Sequence, residues 1–191
     1  MPLRLLILSL VLLSTSALAD PHTFDHAGRL KVADATERDA TLHISCTPEA
    51  GGGAISIELV IPEANTRKDF DYDDFEGPDA AAASKALSQI TWTSSAGATP
   101  ITHVASGWYS PDPPQSFRFG VSQLSHHREP PAQLLGAIRQ AGALVWTQSA
   151  ADASGARLVA TFALDAAAAQ RLHDAVATCL PQNMPTRKPG G

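Results

Sequence analysis

The stretch ARLVATFALDAAAAQRLHDAVATCL, residues 156–180, constrains the fold more than any other part of the chain. Leu158, Ala160, Phe162 and Leu164 alternate with Arg157, Val159, Thr161 and Ala163. That period of two gives a strand one strongly apolar face. Asp165 then stands at an N-cap position ahead of four alanines, and Leu172, Ala175, Val176 and Cys179 recur at helical spacing. Pro181 cannot continue the helix. A strand therefore runs into a helix that ends in a cysteine. The chain's other cysteine, Cys46, lies in an alternating run of its own, residues 40–46.

Residues 1–19 read as a secretory signal peptide. Arg4 supplies a positive n-region, residues 5–13 an apolar h-region too short to span a bilayer comfortably, and Ala17-Leu18-Ala19 an A-x-A cleavage site. No cysteine follows that site, which disfavours a lipoprotein. In the oxidising compartment such a leader implies, Cys46 and Cys179 are expected to pair. The loop they close holds roughly 130 residues. The mature part, about 170 residues, fits one domain with tails. The net charge is −5 with the leader included, and losing Arg4 makes it more negative. An acidic surface argues against nucleic acid or anionic lipid as partner. No later apolar run is long enough to insert in a membrane.

The polar residues 20–28, DPHTFDHAG, lack periodicity and read as a flexible arm. Leu30 and Val32 suggest a short strand. Residues 40–46 and 54–62, with Ile55, Ile57, Leu59 and Ile61 inward, flank the glycine-rich residues 48–53, and together they make a β-hairpin. Residues 66–72 continue the alternation, with Phe70 and Tyr72 opposite Asp69 and Asp71. The alanine-rich residues 79–89 read as a short helix. Ile90 and Trp92 share a strand face, residues 101–108 form a less regular strand, and residues 111–114 a rigid loop. Phe117, Phe119 and Val121 alternate, residues 126–131 make a loop, and Leu134, Leu135 and Ile138 mark a helix closed by Gly142. Residues 143–147 carry Trp146 in a strand that pairs with Leu158–Leu164 across the turn at residues 150–155. Residues 181–191 read as a disordered tail. The expected fold is α+β and β-rich: residues 29–180 form one domain, an antiparallel sandwich or curved sheet with the C-terminal helix packed on it and one disulfide.

No catalytic constellation stands out. The run DFDYDDFE, residues 69–76, holds five carboxylates. Taken as a calcium loop from Asp69, it has Asp74 where glycine is needed and Ala80 where glutamate is needed, so a solvated strand face explains it better. His22 and His26 lie in the arm, His126 and His127 are adjacent, and no zinc spacing occurs. There is no G-x-S-x-G, and nothing local points His103 at Ser106. No catalytic residue, metal or cofactor is assigned. Ser106, Trp108 and Tyr109, beside the proline loop, are the candidate partner-binding residues, since exposed aromatics anchor interfaces.

The combination of LHISC near residue 46, LVATFALD at residues 158–165 and a late helix ending in cysteine resembles two groups of exported bacterial proteins. These are the invasion-associated locus B family and small periplasmic accessory proteins linked to type VI secretion. The resemblance implies an envelope location and a β-rich fold, and carries no site assignment. Ser106-Gly107-Trp108-Tyr109 also looks similar to the loop motif of periplasmic lysozyme inhibitors, with tyrosine one position early. The expectation is a periplasmic or secreted, non-enzymatic binding or accessory protein whose partner is another envelope or extracellular protein. A lysozyme inhibitor and a metal-assisted hydrolase are the alternatives.

Overall fold

The computed structural model describes residues 22–33, 35–49, 52–111, 115–123, 129–152 and 155–181. Among these, β1 (His22–Val32), β2 (Arg38–Glu49), β3 (Gly52–Pro62), β4 (Ser88–Ser94), β5 (Gly97–His103), β6 (Ser106–Ser110), β7 (Ser116–Gln123), β8 (Gly142–Ser149) and β9 (Arg157–Leu164) form one antiparallel sheet. Its order is β5-β4-β8-β9-β1-β2-β3-β7-β6. Strands β5 and β6 are opposite edges of the sheet, yet only Val104 and Ala105 separate them in the chain. A link that short forces the sheet to curl until its edges approach. Helix α1 (Pro130–Ala137) sits inside the curl and touches strands from both ends of the sheet, β5 and β4 on one side and β3 and β7 on the other. The result is a curled sheet of half-barrel form, not a pair of stacked sheets.

The hairpin expected around the glycine run is β2–β3, in ladder from Thr41↔Val60 to Glu49↔Gly52, so its turn is shorter than the six residues read from sequence. The inward faces of the strands make the core: Leu42 and Ile44, Ile57 and Leu59, Phe117 and Phe119, Trp92, Trp146 and Phe162 are all almost fully buried. Strands β8 and β9 pair as expected, from Gly142↔Leu164 to Ser149↔Arg157. Helix α2 (Ala166–Val176) follows β9 directly. Asp165 caps it by accepting a hydrogen bond from the Ala168 amide at 2.7 Å. Its buried face, Ala168, Ala169, Leu172 and Val176, packs on β1 and β2. The Cys46–Cys179 disulfide is formed, with the two Cα atoms 5.8 Å apart.

Five expectations are corrected. The arm at residues 20–28 is ordered from His22 as the first half of β1, in ladder with β2 from His22↔Cys46 to Leu30↔Arg38. Its backbone, not an apolar pattern, is what the sheet recruits, and Phe24 is the one large side chain it buries before Leu30. Residues 66–72 are not a strand. They belong to a strap between β3 and β4, punctuated by 3-10 turns at Ala64–Thr66 and Asp73–Phe75. Phe70 and Tyr72 do point inward, but onto Phe119 and Phe117 (ring centroids 6.1 and 5.1 Å apart), without a ladder partner. Residues 79–89 are not a helix. Their hydrogen bonds include those of four-residue turns (Ala83 N–H to the Ala80 carbonyl, Lys85 N–H to the Ala82 carbonyl), and β4 begins at Ser88. Of the alanines there, Ala82 alone is buried, and a short alanine run without a face to bury does not hold a helix. Residues 101–108 are parts of two strands, broken at Val104 and Ala105. Gly142 opens β8 instead of closing α1, which ends at Ala137. Residues 1–21 and 182–191, with the signal and tail expected there, lie outside the described residues, as do His126 and His127.

Candidate functional site

Edge strand β6 carries all three residues singled out from sequence. Consecutive strand residues face opposite sides of a sheet, so Ser106 and Trp108 point outward while Tyr109 points inward. Residues 106–109 thus lie in a strand and not in the loop that the likeness to lysozyme inhibitors calls for.

On the outer side, Trp108 is 37% exposed, the large apolar side chain left open to solvent among the described residues. It stands opposite Arg118, and its ring fills the space beside Gly120 on β7. A Cβ at position 120 would meet Trp108 Cη2 and Cζ3 at 2.8 Å. Glycine inside a strand often marks such a close approach. Next to the ring, Arg118 Nη1 donates to Glu58 Oε2 at 2.8 Å, and Ser56 Oγ donates to the other carboxylate oxygen at 3.2 Å. The Glu58 side chain is 12% exposed and that of Arg118 31%. The register puts Asp25, His43, Glu58, Gly120 and Ser106 in one row across five strands. Within it His43 Nδ1 and Asp25 Oδ1 are 2.7 Å apart.

On the inner side, Tyr109 packs edge-on against Phe117, centroids 4.9 Å apart, and donates its hydroxyl to Asp73 Oδ1 at 2.8 Å. It borders a cleft of about 560 Å3 between the strap and the β8–β9 turn, to which Lys68, Asp71, Tyr72 and Asp73 also contribute. Beneath the strap, Arg38 of β2 pairs with Asp69 and donates from Nη2 to the Tyr72 hydroxyl at 2.6 Å. Burial pushes the Tyr72 pKa up to about 12, against the opposing pull of Arg38. The Tyr109 pKa is also raised, first by desolvation and then by its hydrogen bond to the Asp73 carboxylate.

The run at residues 69–76 is therefore committed piecemeal. Asp69 serves Arg38, Asp73 serves Tyr109, and Phe70, Tyr72 and Phe75 are core. Among the described residues no three His, Cys, Asp or Glu side chains come together as a metal-binding group. His26 is in hydrogen-bond contact with the Ala163 carbonyl at 2.8 Å. The sequence reading missed Arg118, Glu58 and Gly120, whose nearness to Trp108 depends on strand register. The alternation of residues 54–62 already turns Glu58 outward, between Ile57 and Leu59, and Arg118 between Phe117 and Phe119 carries the same signal; neither says that the two meet beside Trp108.

No protein-family model matches the chain, and no curated protein and no solved structure matches it either.

Proposed function

We propose that this is a non-catalytic binding protein of an oxidising, extracytoplasmic compartment, engaging a macromolecular partner through the outer face of β6 and β7 around Trp108. The observation that carries the reading is that tryptophan: Trp92 and Trp146 are buried, while Trp108 is held open on the surface beside an internally neutralised ion pair. Exposed aromatics seated in polar surroundings are common anchors of recognition. The disulfide fits an oxidising compartment, and no helix among the described residues is long and apolar enough to cross a membrane. The likeness to exported envelope proteins points the same way. The test is affinity capture from an envelope extract with the wild-type protein and Trp108→Ala side by side. The expected result is a specific partner retained by the first and lost by the second. Identical retention by both, or no specific retention by the wild type, would overturn the reading.

A further inference from the structure

The surroundings of Trp108 say more about the partner than that one exists. A protein hot spot is usually a cluster of large apolar side chains ringed by polar ones. Among the described residues a single large apolar ring is exposed, and the register places hydrogen-bonding groups around it: Arg118, Glu58 and the hydroxyls of Ser56, Ser106 and Ser122. The Glu58 carboxylate is engaged on both oxygens, by Arg118 at 2.8 Å and Ser56 at 3.2 Å, and it fixes a planar, more exposed guanidinium whose remaining N–H donors can meet paired hydroxyls. Because carboxylate and guanidinium neutralise each other, the site offers no net charge to a phosphate or to a basic peptide. The ring is pre-positioned by the Gly120 gap, so little side-chain freedom is lost when something stacks on it.

A sugar ring has the complementary chemistry. Its axial C–H bonds make an apolar face that stacks on an aromatic ring, and its equatorial hydroxyls reach sideways to donors and acceptors. A β-linked chain of pyranoses with equatorial substituents presents such faces along a flat ribbon. We propose that Trp108, with the Arg118–Glu58 pair beside it, is a binding platform for a neutral, β-linked saccharide chain. The inference rests on the reading of this face as the binding surface, and narrows its partner.

The test is titration of the isotope-labelled full chain with cellotetraose, chitotetraose and maltotetraose, following the Trp108 indole N–H, assigned by its loss in Trp108→Phe. The expected result is a saturable shift with one or both β-linked probes. Binding should weaken by roughly tenfold or more in Trp108→Ala, the scale of losing one anchoring aromatic, and partly survive in Trp108→Phe. Arg118→Gln should weaken it as well while leaving the melting temperature within a few degrees. Saturation by maltotetraose alone would overturn the assignment to a β-linked ribbon. No saturable shift with any probe would overturn the saccharide platform. In that case Trp108-dependent capture of a protein would leave the broader binding role standing, and its absence would remove both.

Discussion

Tyr72 and Tyr109 are the chain's two tyrosines, and the fold raises both of their pKa values above the usual 10. In each case the native state favours the neutral phenol. The stabilisation this gives is complete below about pH 10, where the unfolded chain is also neutral, and it is lost as pH rises through the folded values. For Tyr72 that window runs from about 10 to about 12. Ultraviolet titration at 295 nm should therefore show little tyrosinate in the native protein near pH 11, with both phenols ionised at that pH in urea. Native tyrosines that ionise together near pH 10 would contradict the burial and the Asp73 bond described above. Trp108 and Tyr109 illustrate how much of the site was legible. Their nearness to the proline loop and their aromatic character singled them out, but adjacent residues on one strand must part to opposite faces. The choice of face depends on Tyr109 meeting Phe117 and Trp108 meeting Gly120, contacts across a ladder whose register is absent from the local sequence.

Elements with a two-residue period and a partner close in sequence, the β2–β3 and β8–β9 hairpins, could be read directly, because turn chemistry and alternation agree. Elements held by distant partners could not. β1 is a strand because it bridges β9 and β2, and the strap alternates because its aromatics reach Phe117 and Phe119. A recurrent device is also visible only in three dimensions. Phe162 lies against Gly28, Phe117 against Gly107, Trp92 against Gly142 and Trp108 against Gly120, each pair on neighbouring strands. Three of these rings fill the core, and the fourth is turned outward. Helix α2, in contrast, announces itself locally. Asp165 breaks the β9 pattern and its carboxylate takes the Ala168 amide, while the apolar face that follows docks on β1 and β2. Asp165→Ala leaves that amide without its cap. Stability should fall by about 1 kcal/mol, or about 2–4 °C in melting temperature for a domain of this size. Thermal unfolding by circular dichroism measures it, and an unchanged midpoint would mean that packing alone sets the start of the helix.

At the scale of the whole molecule, the sheet's first and last parts are bound in three ways: β1 pairs with β9, α2 packs across β1 and β2, and the disulfide joins Cys46 to Cys179 at a separation of 133 residues. The ladder and the packing act in the native state. The covalent link acts mainly on the unfolded chain, by forbidding most of the expanded conformations open to a linear chain of that length. The loop-entropy relation puts the effect at roughly 4–5 kcal/mol for so long a loop, an upper figure that residual structure in the unfolded state reduces. The native site is built around the bridge: any side chain at Gly53 would collide with the Cys179 sulfur. Cys179→Ala, and equally wild type under reducing conditions, should therefore lose about 2–5 kcal/mol in urea unfolding relative to the oxidised protein. Because the linear chain exposes more surface when it unfolds, the dependence on urea should also be steeper for the reduced forms. Oxidised and reduced proteins with the same midpoint and the same slope would show that the sheet and helix close the molecule without help from the bridge.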